Sequence, residues 1–286
     1  MMLILEWQVR RNASDAAVKD LLRNVSTHLT NELVEKLLSR DGKPVISLFK
    51  LKKKLQKASP YNPVEFDCCP SGCIACTNQH KDLRICACCS AERCDARGLS
   101  RKKFKCYPTI PRLEQHYCSP ERWNKMLHRH KKTTNCNLDD SALRDYYDGS
   151  LYRRADSLFK FGKNDVLCAF ALDGKLLFKS IPDKSVWVLL LVNLNLPPHL
   201  RCRVELMEPV GIIPGPKEPK DIFSFLAPLI DEFKILEEGV VMRRDGEGDE
   251  LVRAFILFVT GDLPALKKSL LLKGHNGTAP CRLHLS

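Results

Sequence analysis

Cysteines are distributed unevenly along the 286-residue sequence, and eight of the fourteen lie in the segment 68–94. Within it, two short pairs, Cys69-x3-Cys73 and Cys86-x2-Cys89, are separated by twelve residues. Two thiolates from one turn can reach the same tetrahedral ion, and a second pair closes the site from a neighbouring turn. The spacing therefore predicts a structural zinc site formed by these four residues.

The same segment contains more cysteines than one zinc ion needs. Cys73-x2-Cys76 is also an acceptable ligand pair, and an iron–sulfur cluster or a set of buried structural thiols is the alternative to zinc. The sequence lacks the three-cysteine run that is typical of ferredoxins. The cysteines that we interpret as surplus are Cys68, Cys76, Cys88 and Cys94.

The overall charge points to an anionic partner. The composition, 44% hydrophobic and 28% charged, is that of a globular protein, and the formal net charge is +12. Nucleic acid is the commonest partner of so basic a chain and a membrane surface the next. Residues 97–135 contain eleven Lys or Arg against two Glu, and residues 47–57 predict a basic amphipathic helix. That helix faces either solvent or a partner such as DNA.

Neither a secretory signal nor a membrane span is predicted. The opening apolar run is short and the arginines follow it, which is the reverse of a signal peptide. The most apolar stretch, 186–196, covers about half a bilayer and is interpreted as a buried strand. We therefore expect a soluble intracellular protein, in which clustered cysteines bind metal more often than they form disulfides.

Apolar periodicity and turn residues predict the elements that position these groups. Residues 15–58 have helical leucine spacing, and a short helix is expected after Ser119-Pro120. After residue 163 strands begin, with Asp173-Gly174 as a hairpin turn. The pattern predicts a mixed α/β sheet. The expected strands are two within 165–178 and one each at 185–196, 201–213 and 251–260, and the expected helices are 221–238 and 263–273.

Two acidic residues stand at predicted strand ends. Asp173 precedes Gly174, and Asp262 follows Gly261. Taken singly, each is more often a simple turn residue. Together they have the arrangement that two-metal phosphoryl transfer needs, since carboxylates on adjacent strand ends can hold two divalent ions. A third acidic residue usually completes such a site.

A series of long phrases between Cys69 and Cys281 resembles the transposases of CACTA-type (En/Spm-like) DNA transposons, particularly the form common in fungi. The resemblance covers about three-quarters of the chain, in order. It is carried by CPSGCIACT, DLRICACC followed by Arg93, IPRLEQHY, DGKLLFKS, VWVLLLVNLNLPPHLRCRVE, VGIIPGPKEPKDIFSFLAPL, VRAFILFVTGDLPALKKSLLLKGHNG and PCRLH.

This resemblance implies an RNase H-like core with a DDE-type acidic set. Such an enzyme cuts transposon ends with metal-activated water and joins the 3′ hydroxyl to target DNA, using Mg²⁺ or Mn²⁺. By position, Asp173 is the first acid and Asp262 the second, and the four paired cysteines fall on the family's knuckle. The implied partners are transposon-end and target DNA, the implied location is the nucleus, and a homo-oligomer is compatible with the resemblance.

The resemblance also implies a second cysteine/histidine feature after the second acid. His275, Cys281 and His284 fall on it, with His284 in place of the family's cysteine and a further ligand expected downstream. The sequence contains no Asp or Glu after Asp262, so the third acid and the remaining RNase H strands are expected beyond Ser286. We therefore expect a truncated and inactive chain.

The sequence-based division of the chain is a basic helical segment (1–58), a zinc knuckle (59–97), a basic linker (98–162) and a partial RNase H-like core (163–286). The preferred function is that of a transposase-derived DNA-binding protein. The alternatives are a non-catalytic remnant and a zinc-bearing nucleic-acid or protein interaction module. The last of these accounts for the cysteines but not for Asp173 and Asp262.

Overall fold

The computed structural model describes residues 62–134, 143–176, 185–203, 206–215, 218–244 and 248–262, together with Leu266. The chain divides into two units, 1–62 and 63–286, and the description that follows concerns the second. The predicted basic helical segment lies outside the described residues. The predicted ligands His275, Cys281 and His284 lie outside them as well.

The described residues form short helices and one dominant sheet. The strands are β1 (Val64–Asp67), β2 (Lys103–Cys106), β3 (Val166–Leu176), β4 (Ser185–Asn193), β5 (Glu208–Pro214), β6 (Val240–Arg244), β7 (Gly248–Val252) and β8 (Ala254–Gly261). The helices are α1 (Ile110–Cys118), α2 (Pro120–Met126), α3 (His128–Thr134), α4 (Ser150–Phe159), α5 (Pro198–Arg201) and α6 (Ile222–Glu238). Two 3₁₀ turns cover Asn78–His80 and Tyr146–Asp148.

The main sheet has six strands in the order β1-β2-β5-β4-β3-β8. All neighbouring strands are antiparallel except β3 and β8, which are parallel. A parallel pair needs a crossover connection, and the segment from β5 to β8 contains α6 and the separate β6–β7 hairpin. The prediction of a mixed α/β sheet is confirmed.

The predicted hairpin turn at Asp173-Gly174 is wrong. β3 runs without interruption through both residues, which pair with Val188 and Trp187 of β4. A Cβ atom on Gly174 would lie 3.0 Å from Cε2 of Trp187, so the indole packs where a side chain would otherwise stand. Here glycine serves a close packing contact within a strand rather than a turn.

Helices cover both faces of the sheet around β3. On one face, Phe170 and Leu172 belong to the main apolar core, which also contains Phe225 and Leu229 of α6. On the other face, Leu167 and Ala169 pack in a smaller cluster with Tyr152 of α4 and Phe255 of β8. Successive β3 side chains therefore alternate between two separately covered layers.

Several predicted elements are present with altered bounds. α6 matches the predicted helix 221–238, and Asp221 caps it by accepting from the N–H groups of Phe223 and Ser224. α2 begins at the predicted position, with Ser119 as its N-cap. The strand predicted at 251–260 is instead two strands that part at Arg253, and the one predicted at 201–213 begins only at Glu208.

The edge of the sheet comes from an unexpected part of the chain. β1 belongs to the predicted zinc knuckle and β2 to the predicted basic linker, yet β2 pairs with β5 of the predicted core. Phe104 of β2 is buried and meets Phe225 of α6 edge to face, with ring centroids 5.2 Å apart.

Among the described residues, no helix is long and apolar enough to cross a membrane.

Candidate metal centre and acidic pair

The four paired cysteines converge in space. The sulfur atoms of Cys69, Cys73, Cys86 and Cys89 all lie within 4.8 Å of one another, and those of Cys69 and Cys89 are 3.4 Å apart. Four sulfurs around one zinc ion at about 2.3 Å would stand roughly 3.8 Å from each other. The cluster therefore fits a single tetrahedral metal ion, as the spacing predicts, and a sulfur-only ligand set is one that zinc favours.

Two tight loops bring the thiols together. Gly72, with φ of 79°, lets the first loop turn back so that its N–H donates to the carbonyl of Cys69 at 2.8 Å. In the second loop Ser90 adopts φ of 56° and donates to the carbonyl of Cys86 at 2.9 Å. The N–H of Ser71 donates to the sulfur of Cys69 at 3.3 Å. Such N–H donors stabilise thiolates.

Burial and backbone donors act in opposite directions on the thiol pKa values. Burial raises the pKa of Cys86 to about 11 and also raises the pKa of Cys73. The backbone N–H of Ala91 lowers the pKa of Cys89 to about 7. Thiolates are the metal ligands, so binding displaces protons and zinc affinity rises with pH.

The surplus cysteines have other surroundings. Cys68 is fully buried, and burial raises its pKa to about 12. Cys88 is exposed, and Cys76 and Cys94 are partly exposed. None of these four belongs to a group of three or more potential ligands among the residues that the structure describes. Their interpretation as surplus agrees with this placement.

The cysteine loops are attached directly to the first turn of α6. The carbonyl of Cys73 accepts from the N–H groups of Lys220 (2.9 Å) and Asp221 (3.1 Å). Ala75 N–H donates to Ser224 Oγ at 2.9 Å, and the Thr77 hydroxyl donates to the Ser224 carbonyl. The metal centre is thus continuous with the helix that precedes the β6–β7 hairpin and β8.

Asp173 and Asp262 are brought together by the parallel pairing of β3 and β8. The last pair of that ladder is Leu172 with Gly261, so the two aspartates are the next residues of their strands. Paired residues of a parallel ladder project on the same face, and neighbouring strands are about 4.8 Å apart. Asp173 is partly buried and Asp262 is exposed. The arrangement places two carboxylates side by side at one end of a ladder.

These aspartates share a sheet face with α4. Going backwards along the ladder from Asp173, Ala169 pairs with Phe258, and both belong to the cluster beneath α4. Alternation puts Leu172 on the opposite face, where it is buried in the main core. The acidic pair therefore lies just beyond the edge of the α4 layer.

The basic segment 97–135 is only partly available to a ligand. Arg129 is buried, and its guanidinium donates to the carbonyls of Gly162 and Asp165. Arg112 lies 3.5 Å from Glu208, and Lys102 Nζ donates to the carbonyl of Pro70 at 2.7 Å. Charge counting did not distinguish these structural cations from the exposed ones, because burial depends on contacts with distant elements.

Comparison with known families finds a match. Residues 140–284, about half of the chain, match the model of the transposase family tnp2. Asp173 and Asp262 both lie in the matched segment, whereas the four cysteines precede it. Comparison with curated proteins finds no match. On the strength of the family match, this chain belongs to the transposase family tnp2.

Proposed function

We propose that the chain carries a DDE-type DNA transposase core, of the CACTA kind, with Asp173 and Asp262 as its first two acids. One observation carries the proposal: in a member of the tnp2 family, these aspartates follow directly on the last β3–β8 pair. A transposase acts on DNA, so DNA is the proposed partner, and the nucleus is the expected location. The +12 net charge is consistent with DNA binding.

An RNase H-like fold is part of this proposal. β3, β4 and β5 form three consecutive antiparallel strands, and β8 lies parallel to β3 on its other side. The resemblance implies a DDE-type acidic set, and its carboxylates are expected on adjacent strands of such a sheet. The positions of Asp173 on β3 and Asp262 after β8 agree with that expectation.

The two carboxylates would hold the divalent ions on which the chemistry depends. Mg²⁺ or Mn²⁺ bound there would activate the attacking oxygen and stabilise the leaving one. The protein's own contribution is to position the carboxylates. Val188 of β4 pairs with Asp173 and so holds this part of β3 in the sheet. The buried packing of Leu172 fixes the opposite face. Rigid strands keep the separation of the two carboxylates constant.

Iron-directed cleavage tests the proposed metal site without requiring DNA chemistry. Fe²⁺ with ascorbate generates radicals that cut the polypeptide beside bound iron. We expect fragments from cuts near residues 173 and 262, competed by Mn²⁺ and lost in Asp173→Asn and in Asp262→Asn. Asp249→Asn, an exposed site on β7, removes the same charge and should leave the cuts intact. Cuts that survive both Asp173→Asn and Asp262→Asn would contradict the assignment.

Catalysis is a separate question from metal binding. These 286 residues contain no Asp or Glu after Asp262, and two-metal chemistry usually requires a third carboxylate. We therefore expect this polypeptide with Mn²⁺ neither to nick nor to join transposon-end DNA. Strand cleavage that disappears in Asp173→Asn would instead identify an active enzyme with its third acid elsewhere.

A further inference from the structure

Exposed cations gather on α3, on α4 and on the loop that follows α4. None of them makes an ion pair with any residue that the structure describes, and Asp156, the acid of α4, is engaged by the N–H of Phe161 at 2.9 Å. Arg129 joins α3 to α4 and to the following loop, so these cations lie on neighbouring elements, where unpaired positive charges favour an anionic ligand. The members of this set, called the α4 surface, are Lys131, Lys132, Arg154, Lys160 and Lys163.

Arg129 fixes these segments relative to one another. Its guanidinium donates from α3 to the Gly162 and Asp165 carbonyls and lies 3.4 Å from the Tyr152 hydroxyl of α4. The side chain is 1% exposed and has no carboxylate within 4 Å among the described residues. These bonds hold α3, α4 and the following loop together, and the charge of Arg129 adds to the positive charge of the α4 surface.

An aromatic ring stands among these cations. Phe159, the last residue of α4, is 49% exposed, and its ring stacks on Phe161 with an interplanar angle of 17° and centroids 6.0 Å apart. Phe255 supports the same ring from below at 5.3 Å. Arg253 donates to the Phe159 and Lys160 carbonyls and so anchors the end of the helix. The exposed ring face is thus held in a fixed orientation.

The α4 surface and the acidic pair lie on the same face of the sheet, and α4 spans part of the distance between them. Tyr146, just before α4, packs on Phe258, whereas Phe159 at the far end packs on Phe255. Phe258 pairs with Ala169 and Phe255 with Leu167, so α4 runs along β3 away from Asp173. From Leu167 to Asp173 the strand extends roughly 20 Å.

We propose that the α4 surface binds single-stranded DNA, with phosphates on its cations and a base stacked on Phe159, and directs the strand towards Asp173 and Asp262. Stacking on an aromatic ring beside a basic groove is how single strands are bound without sequence preference, since every base has a π-face. A paired duplex offers no free base to Phe159. The inference rests on the proposed function and specifies which surface and which form of DNA it uses.

Binding of labelled oligonucleotides to the zinc-loaded chain tests this surface. In fluorescence anisotropy, Phe159→Leu should weaken binding of a 20-nucleotide oligothymidylate about tenfold and leave binding of a duplex unchanged, since leucine keeps the apolar packing but removes the stacking face. The pair Arg154→Gln and Lys163→Gln should lower the slope of log affinity against log salt by about 1.4 for the single strand. Lys234→Gln with Arg243→Gln is the matched control for net charge and should leave the slope unchanged.

The possible results separate the two proposals. If the chain binds DNA and neither Phe159→Leu nor the charge pair changes the single-strand affinity, the α4 surface is not the site, although the transposase proposal stands. Equal losses in the matched control would also overturn the inference. If the substitutions instead weaken self-association in sedimentation without affecting DNA, the surface joins protein chains. Absence of binding to any DNA would count against the proposed function itself.

Discussion

The cysteine cluster and the acidic pair are positioned in different ways. Cys69 and Cys89 are twenty positions apart, and two tight loops with their own N–H···S and N–H···O bonds bring the four sulfurs together. Asp173 and Asp262 belong to distant segments that meet only because β3 pairs with β8. A short-range metal site depends chiefly on its ion, whereas a long-range acidic pair depends on the whole sheet.

The two regions nevertheless share α6. Its first turn binds the cysteine loops through Asp221 and Ser224, and its apolar side packs on the core beneath β3. Changes in the metal centre should therefore reach α6, whereas changes at Asp173 should leave the metal centre intact. Three predictions test how far this asymmetry extends.

The largest effect is expected from removing a metal ligand. Cys86→Ser should abolish zinc binding and lower the free energy of unfolding by roughly 5 kcal/mol or more, because structural zinc binding is itself folding free energy. Amide hydrogen exchange should increase in the cysteine loops and in the first turn of α6. Cys88→Ser, at an exposed cysteine outside the ligand group, is the matched control. Unchanged exchange in α6 would show that the regions are independent.

An intermediate effect is expected beside Asp173. Gly174→Ala places a Cβ atom 3.0 Å from the Trp187 ring, and the displacement should lower the free energy of unfolding by about 1–2 kcal/mol. Gly162→Ala, whose nearest contact would be 3.7 Å, should be neutral in the same denaturant titration. Zinc content should stay constant in both. An unaffected Gly174→Ala protein would contradict the tight Gly174–Trp187 packing.

The smallest effect is expected in the turn before α4. Asp148 accepts from the N–H groups of Arg144 (2.8 Å) and Asp145 (3.1 Å). Burial raises its pKa, but these hydrogen bonds outweigh burial and the net pKa lies below its usual value. Stability from the ionised form is therefore present above about pH 4, the unfolded pKa, and lost as pH falls through the lower folded pKa.

Asp148→Asn measures this contribution. The substitution should lower the free energy of unfolding by about 1 kcal/mol at pH 7, the usual magnitude of a cap. The difference from the parent protein should shrink as the pH is lowered towards 3, as followed by denaturant titration. A difference that stays constant with pH would mean that the charge of Asp148 does not contribute to the stability.

Local sequence determined the four-cysteine cluster almost completely. Cysteine spacing identified all four members of the cluster, because short loops place neighbouring thiols within reach of one ion whatever the rest of the fold. Helix α6 was also predictable, since its capping residue and apolar spacing are local signals. In contrast, Asp173-Gly174 has the local pattern of a turn, and only pairing with β4 makes it a strand.

What the sequence by itself determined is therefore the chemistry available: a cluster of four thiols that could hold a metal ion, two aspartates and an excess of positive charge. Tertiary structure alone decided which groups meet. It placed Asp173 beside Asp262, buried Arg129 and left Phe159 exposed among cations. The physical reason is the distance along the chain over which each kind of interaction acts. Loop geometry and helix capping act over a few residues, whereas strand register, burial and shared surfaces arise from contacts between segments far apart in the chain.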